Sequence, residues 1–197
     1  MSKAIVFDVG KVLVNFSFDK FKSFLTNHGA NFKDNQDFFE KSSLLDFEKG
    51  FITENDFLNR VNSNLTKKIE PKEIKNHWED IFTLDRDMFE FAKKIAASHP
   101  TYLLSNTNPI HWPFLEKTYG LTDFVKGFLT SHDAGVMKPD QKIYKTFIKK
   151  FDLRPENLLF VDDLKENVDA AIKLGWNAVH HIENKKSINT VNNFLLK

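Results

Sequence analysis

The stretch "IVFDVGKVLV", residues 5–14, decides how this chain reads. With Ala4 it opens as an apolar run, stops on one carboxylate at Asp8, and after Val9, Gly10 and Lys11 becomes an apolar run again. Consecutive rather than alternating apolar positions fit a strand buried on both faces, as parallel strands are. An acid at the end of such a strand is a turn residue, a helix cap or a chemical group.

Four further runs have the same character: Tyr102–Leu104, Phe128–Leu129, Leu158–Val161 and Ala178–Val179. Helical stripes lie between them. Met88, Phe91, Ala92 and Ile95 share a face; Ile143, Phe147 and Phe151 recur every four residues; Leu164, Val168, Ala171 and Ile172 precede Gly175, placed as a C′ residue. This alternation predicts an α/β protein, a Rossmann-like parallel sheet with helices on both faces. From about Asn15 to Leu84 the rhythm breaks into helical patterns with no convincing strand. Phe18, Phe21 and Leu25 share a face, Thr53 is placed as an N-cap, and Pro71 opens a helix. The expected organisation is a core of residues 1–14 and 85–197 and a small α-helical cap of residues 15–84, inserted after the first strand.

Bulk properties narrow the function. The chain has 197 residues, 41% hydrophobic and 28% charged, with a net charge of +1. That balance gives no electrostatic footprint for nucleic acid or an acidic membrane. Cysteine is absent, which excludes disulfides and zinc–thiolate sites. No apolar stretch approaches the ~20 residues that span a bilayer, and no signal peptide is recognisable. A cytoplasmic protein, monomer or homodimer, acting on a small molecule is expected.

Polar clusters stand where the apolar runs stop or a helix opens: Asp8; Ser105-Asn106-Thr107-Asn108; Lys138-Pro139-Asp140; and Asp162-Asp163 with Glu166 and Asn167 following. Ligands of open α/β sheets bind outside the carboxyl ends of the strands, so these clusters should converge. A carboxylate can serve as nucleophile if cations offset its repulsion from an anionic substrate. Carboxylate and carbonyl oxygens suit Mg²⁺, and a serine hydroxyl, backbone N–H groups and a lysine suit a phosphoryl group. Each cluster alone also reads as a turn or cap, with Asp140 as an N-cap and Asp162-Asp163 capping a helix near Leu164.

Taken together, these motifs resemble those of the haloacid dehalogenase superfamily, most of whose members are phosphatases. Within it, Asp8-x-Gly10 followed by Ser-Asn-Thr-Asn looks most like the branch of α-D-glucose-1-phosphate phosphatases. The resemblance implies that Asp8 is the nucleophile, that Ser105, the Asn106 amide and Lys138 hold the phosphoryl group, and that Mg²⁺ is bound by Asp8, the Gly10 carbonyl and one of the acidic pair. Asp163 would be the direct ligand and Asp162 would act behind it or through water. The substrate would be a small phosphorylated metabolite such as a hexose 1-phosphate.

Gly10 departs from the pattern, because phosphatases of the family usually carry an acid–base aspartate there. General acid–base catalysis is worth about 10²–10⁴-fold. Either an easily expelled leaving group or another donor, such as Lys11, a cap residue or ordered water, would have to compensate. Two other functions stay open: a 2-haloacid dehalogenase-type hydrolase, which works without metal and lacks the acidic pair, and a non-catalytic binder of phosphometabolites or proteins. The cap side chains Phe16, Phe18 and Phe47, together with Trp112, are candidate pocket residues with core packing as the alternative. His111, His132, His180 and His181 have no metal-ligand spacing and read as loop or surface groups.

Overall fold

The computed structural model describes residues 3–196; of the expected core, residues 1, 2 and 197 lie outside the described residues. The elements run β1 (Ala4–Phe7), β2 (Val14–Phe16), α1 (Asp19–Asn27), α2 (Asn35–Ser42), α3 (Leu44–Glu48), α4 (Glu54–Ser63), α5 (Pro71–Glu79) and β3 (Phe82–Leu84). They continue with α6 (Arg86–Ala96), β4 (Thr101–Ser105), α7 (His111–Tyr119), β5 (Gly127–Thr130), α8 (Ser131–Ala134) and α9 (Gln141–Phe151). The last are β6 (Leu158–Asp162), α10 (Lys165–Lys173), β7 (Asn177–His180) and α11 (Asn184–Leu196).

Five strands form one parallel sheet in the order β5-β4-β1-β6-β7. Strand periodicity divides its side chains between two cores. Ile5, Phe7, Leu103, Leu159 and Val161 face one layer with Met88, Ala92 and Val191. Val6, Leu104, Leu158 and Phe160 face the other with Ile143, Phe147 and Ala171. Both faces are thus covered, which is why the strands carry no polar alternation.

The register fixes where the chemistry sits. Phe7 pairs with Leu103 on one side and Val161 on the other, so Asp8, Ser105 and Asp162 leave adjacent strands at the same sheet edge. The Asp8 amide still donates to the Val161 carbonyl at 2.9 Å, fixing the acid to the strand end. Several predicted boundaries hold. Thr53 and Asp56 form a capping box on α4, Pro71 opens α5, and Asp140 caps α9 through the Lys142 amide. Gly175 takes φ +84°, and the Trp176 amide closes back on the Ala171 carbonyl as in a Schellman end.

One expectation is corrected. The segment between β1 and α6 is not free of strands, because Val14–Phe16 and Phe82–Leu84 pair antiparallel at its two ends. Three residues are too few to show a period, so the sequence pattern hides them. The ribbon brings together the start and end of a five-helix layer with its own core of Phe21, Phe47, Phe57, Ile74 and Trp78. Eleven of the 21 phenylalanines lie from Phe16 to Phe82, and all but the exposed Phe51 build this second core, which accounts for the unusual content. Trp78 is its centre, stacked on Phe18 at 5.6 Å and touching Phe21 at 4.8 Å. No helix among the described residues is long and apolar enough to cross a membrane.

Because Trp78 is fully buried, Trp78→Ala is expected to cost about 3–5 kcal/mol of stability. Urea unfolding checks this, and a loss below about 1 kcal/mol would contradict so central a packing role.

Candidate active site

Lys138 is the hub at the sheet edge. Its ammonium lies 2.7 Å from Asp8 Oδ1, 2.7 Å from Asp162 Oδ2 and donates to the Leu104 carbonyl at 3.1 Å. All three of its protons are therefore committed, and the side chain is almost wholly buried. Burial alone would lower the lysine pKa, but the charges of Asp8 and Asp162 and their hydrogen bonds hold it above the ordinary value. Burial also pushes Asp8 from 3.8 up to about 7; Lys138 offsets part of this, and Asp162 and Asp163 add to the rise.

The three acids differ in what remains free. Asp162, fully buried, accepts from the Leu164 amide at 2.8 Å and from Asn167 Nδ2 at 2.9 and 3.1 Å, besides Lys138. Asp8 uses Oδ1 for the Val9 amide at 2.7 Å and for Lys138. Asp163 is half-buried, and burial, reinforced by Asp162, raises its pKa. Carboxylate oxygens of Asp8, Asp162 and Asp163 lie within 4.8 Å of one another. One ammonium cannot balance three carboxylates there, so the donor set fits a hard divalent cation such as Mg²⁺.

Ser105 is buried, and its hydroxyl makes only a long 3.5 Å contact with the Asn106 carbonyl. The Asn106 side chain is spent on the protein, and this leaves the expectation for its amide untouched. Nδ2 donates to the Lys138 carbonyl at 2.9 Å and Oδ1 accepts from the Lys138 amide at 2.8 Å. The side chain thus clamps the lysine loop, while its backbone amide faces no such demand. Gly10 closes the first loop; a Cβ there would meet Phe16 Cε1 at 3.1 Å, so the Phe16 ring would have to give by a few tenths of an ångström to admit a side chain.

Gly10, Ser105, Asn106 and Thr107 open into a cavity of about 80 Å³ walled by Phe16, Phe18, Trp78 and Phe82 from the ribbon and helical layer. A larger cavity of about 520 Å³ lies within the helical layer, among Phe21, Phe32, Phe38 and Phe39, and includes none of the clustered acids. Of the four candidate pocket residues, Phe16 and Phe18 line the small cavity. Phe47 instead stacks on Phe57 at 4.6 Å, and Trp112 packs on Phe128 at 4.7 Å, both as core residues.

The surface reading of the histidines is corrected for two of them. His111 is buried against Trp78, and burial lowers its pKa to about 3. Its Nε2 lies 3.0 Å from the Trp78 carbonyl and its Nδ1 3.1 Å from Asn108 Nδ2, which fits a neutral ring donating through Nε2. His181 is buried and meets Ser187 Oγ at 2.8 Å. Lys11 is exposed, donates to the Phe16 carbonyl at 2.6 Å and lies over the Phe16 ring. Missed altogether was Glu48, which reaches the small cavity from α3. An acid ending a short helix is indistinguishable in sequence from a solvated one.

Residues 2–175 match the haloacid dehalogenase-like hydrolase family. The chain belongs to that family. It is 28% identical over 185 residues to the D-ribitol-5-phosphate phosphatase of Bacteroides thetaiotaomicron, covering 89% of this chain and 90% of the relative. It is 24% identical to a sesquiterpene phosphatase of Aspergillus oryzae, covering 90% and 89%. A HAD family enzyme of Bacteroides thetaiotaomicron, solved with magnesium and inorganic phosphate, superposes with a TM-score of 0.81 at 25% identity, covering 91% and 93%. The fold is also shared with the L-2-haloacid dehalogenase of Xanthobacter autotrophicus, at a TM-score of 0.64 and 17% identity, covering 99% and 84%.

Raised acids leave a mark on stability. The Asp8 pKa is higher in the fold than its ordinary 3.8. Its contribution is therefore complete below about pH 4 and is lost as pH rises through about 7. With chelator present, the melting temperature of Asp8→Asn minus that of wild type should increase from about pH 4 to about pH 8. A difference that stays flat would contradict the raised value.

Proposed function

We propose that this chain is a Mg²⁺-dependent phosphatase acting on a small phosphorylated metabolite through an aspartyl-phosphate on Asp8. The observation that carries the reading is the cluster of Asp8, Asp162 and Asp163 within 4.8 Å, with the Lys138 ammonium against two of them. In the dehalogenase alternative no metal is used, and these carboxylates would repel one another at neutral pH.

Asp8 would attack phosphorus in line. Lys138, on exchanging one of its three present contacts, would bind an equatorial oxygen together with the Ser105 hydroxyl and the Asn106 backbone amide, and Ser105 has no strong protein partner to give up. Mg²⁺ would be held by Asp8, the Gly10 carbonyl and Asp163, relieving the repulsion among these acids and the phosphoryl charge. The hydrogen bonds of Asp162 leave it better suited to orient Lys138 than to ligate directly. Residues 15–84 would act as the cap, with Phe16, Phe18 and Trp78 forming an apolar wall that excludes water from the leaving-group side. The D-ribitol-5-phosphate phosphatase likeness supports a sugar or polyol phosphate as substrate class; the hexose 1-phosphate expectation falls within it.

Phosphate release from D-ribitol 5-phosphate, a hexose 1-phosphate and para-nitrophenyl phosphate tests the proposal. Activity should require Mg²⁺, vanish with chelator and return on adding the metal. Asp8→Asn should lower kcat by at least about 10³-fold, as loss of a nucleophile does, while keeping the fold. Full activity in that variant, or chloride release from a 2-haloacid, would overturn the assignment. A stable phosphorylated Asp8 without turnover would favour the binding function instead.

A further inference from the structure

The phosphatase reading leaves a chemical gap at Gly10, where no side chain can carry a proton. The cavity above Gly10 is lined by two titratable residues among the described residues, His111 and Glu48. His111 is committed at both ring nitrogens, to the Trp78 carbonyl and to Asn108. Lys11, the nearest basic residue in sequence, is tied to the Phe16 carbonyl and is not part of the cavity wall. Glu48 is left.

Its placement is built rather than accidental. Glu48 ends α3 directly after Phe47, which is fully buried on Phe57. Its main-chain carbonyl lies 2.6 Å from Ser131 Oγ. That hydroxyl is fully buried, accepts from the Thr107 amide at 2.9 Å and lies 2.9 Å from the Thr107 carbonyl. Two residues on, Gly50 takes φ +70°, and a Cβ there would fall 2.5 Å from the His132 carbonyl, so the chain after Glu48 is pressed against α8. One hydroxyl thus registers the end of α3 on the loop that carries Ser105 and Asn106.

The carboxyl is also in a suitable state. Burial raises its pKa from 4.5 to about 7, with no cation or hydrogen-bond donor offsetting it. Near neutral pH it can both give and take a proton, which is the condition for acid–base work.

We propose that Glu48 is the acid–base catalyst of this chain, taking over the task that Gly10 cannot perform. As the Asp8 carboxylate forms its bond to phosphorus, the bond from phosphorus to the leaving oxygen breaks, and that oxygen takes the proton of the Glu48 carboxyl. In the second step the Glu48 carboxylate removes a proton from water as the water oxygen attacks phosphorus, and the bond to Asp8 breaks. Both residues return to their starting states. The assignment rests on the phosphatase reading, and its test separates the two.

Glu48→Gln keeps the shape and removes the proton. With Mg²⁺ and D-ribitol 5-phosphate, whose alkoxide needs protonation, the variant should lose about 10²–10⁴-fold in kcat. With para-nitrophenyl phosphate, whose leaving oxygen needs none, it should give a burst of one equivalent of nitrophenolate at close to the wild-type rate, followed by slow turnover. A residue that merely props the cap would slow the burst as well. Adding Gly10→Asp with Phe16→Leu, which relieves the 3.1 Å contact at that position, should restore alkyl-phosphate turnover at least in part. An active wild type with an unimpaired Glu48→Gln, or with burst and turnover equally slowed, overturns the Glu48 assignment alone. A wild type without Mg²⁺-dependent phosphate release from any of these substrates overturns the phosphatase reading and Glu48 with it.

Discussion

A buried ammonium held between two buried carboxylates is the constraint around which the sheet edge is organised. Removing Lys138 and its partners from water is expensive, and such pairs are seldom a net source of stability. Here Lys138, Asp8 and Asp162 are each almost closed off from solvent. Their place at the carboxyl ends of central strands is what the proposed chemistry, rather than folding, would call for. The two apolar cores on either side of the sheet supply the stability that this arrangement draws upon.

The parallel register converts this local constraint into a site. Because β4 and β6 both flank β1, a carboxylate, a hydroxyl and a second carboxylate leave three neighbouring strands at one level. The helical layer then contributes mostly aromatic wall. Its one acidic side chain in the small cavity stands out for that reason.

Much of this was legible before any coordinates. Asp8, Ser105 and Asp162 each end an apolar run, and the consecutive burial of those runs already implies a parallel sheet whose ends converge. Thr53, Pro71, Asp140 and Gly175 mark helix boundaries by local chemistry alone, and the structure uses each as expected. What stayed hidden has a common cause, since it depends on contacts between distant segments. The β2–β3 ribbon is too short for periodicity, and Glu48 acquires meaning only through Ser131, 83 residues away. The burial of His111 depends on Trp78, 33 positions earlier. The bonds from the Asn106 side chain to the Lys138 backbone were hidden too, because that partner lies 32 residues further on.

That last pair has a thermodynamic meaning of its own. The Asn106 side chain donates to and accepts from the same residue, so the loop after β4 and the loop bearing Lys138 are fastened at two points and cannot rotate independently. The freedom those loops would otherwise surrender when an anion arrives has already been given up during folding. In the proposed reaction an incoming phosphoryl group would meet donors whose spacing is set in advance, and its binding energy could go into the reaction rather than into ordering the protein.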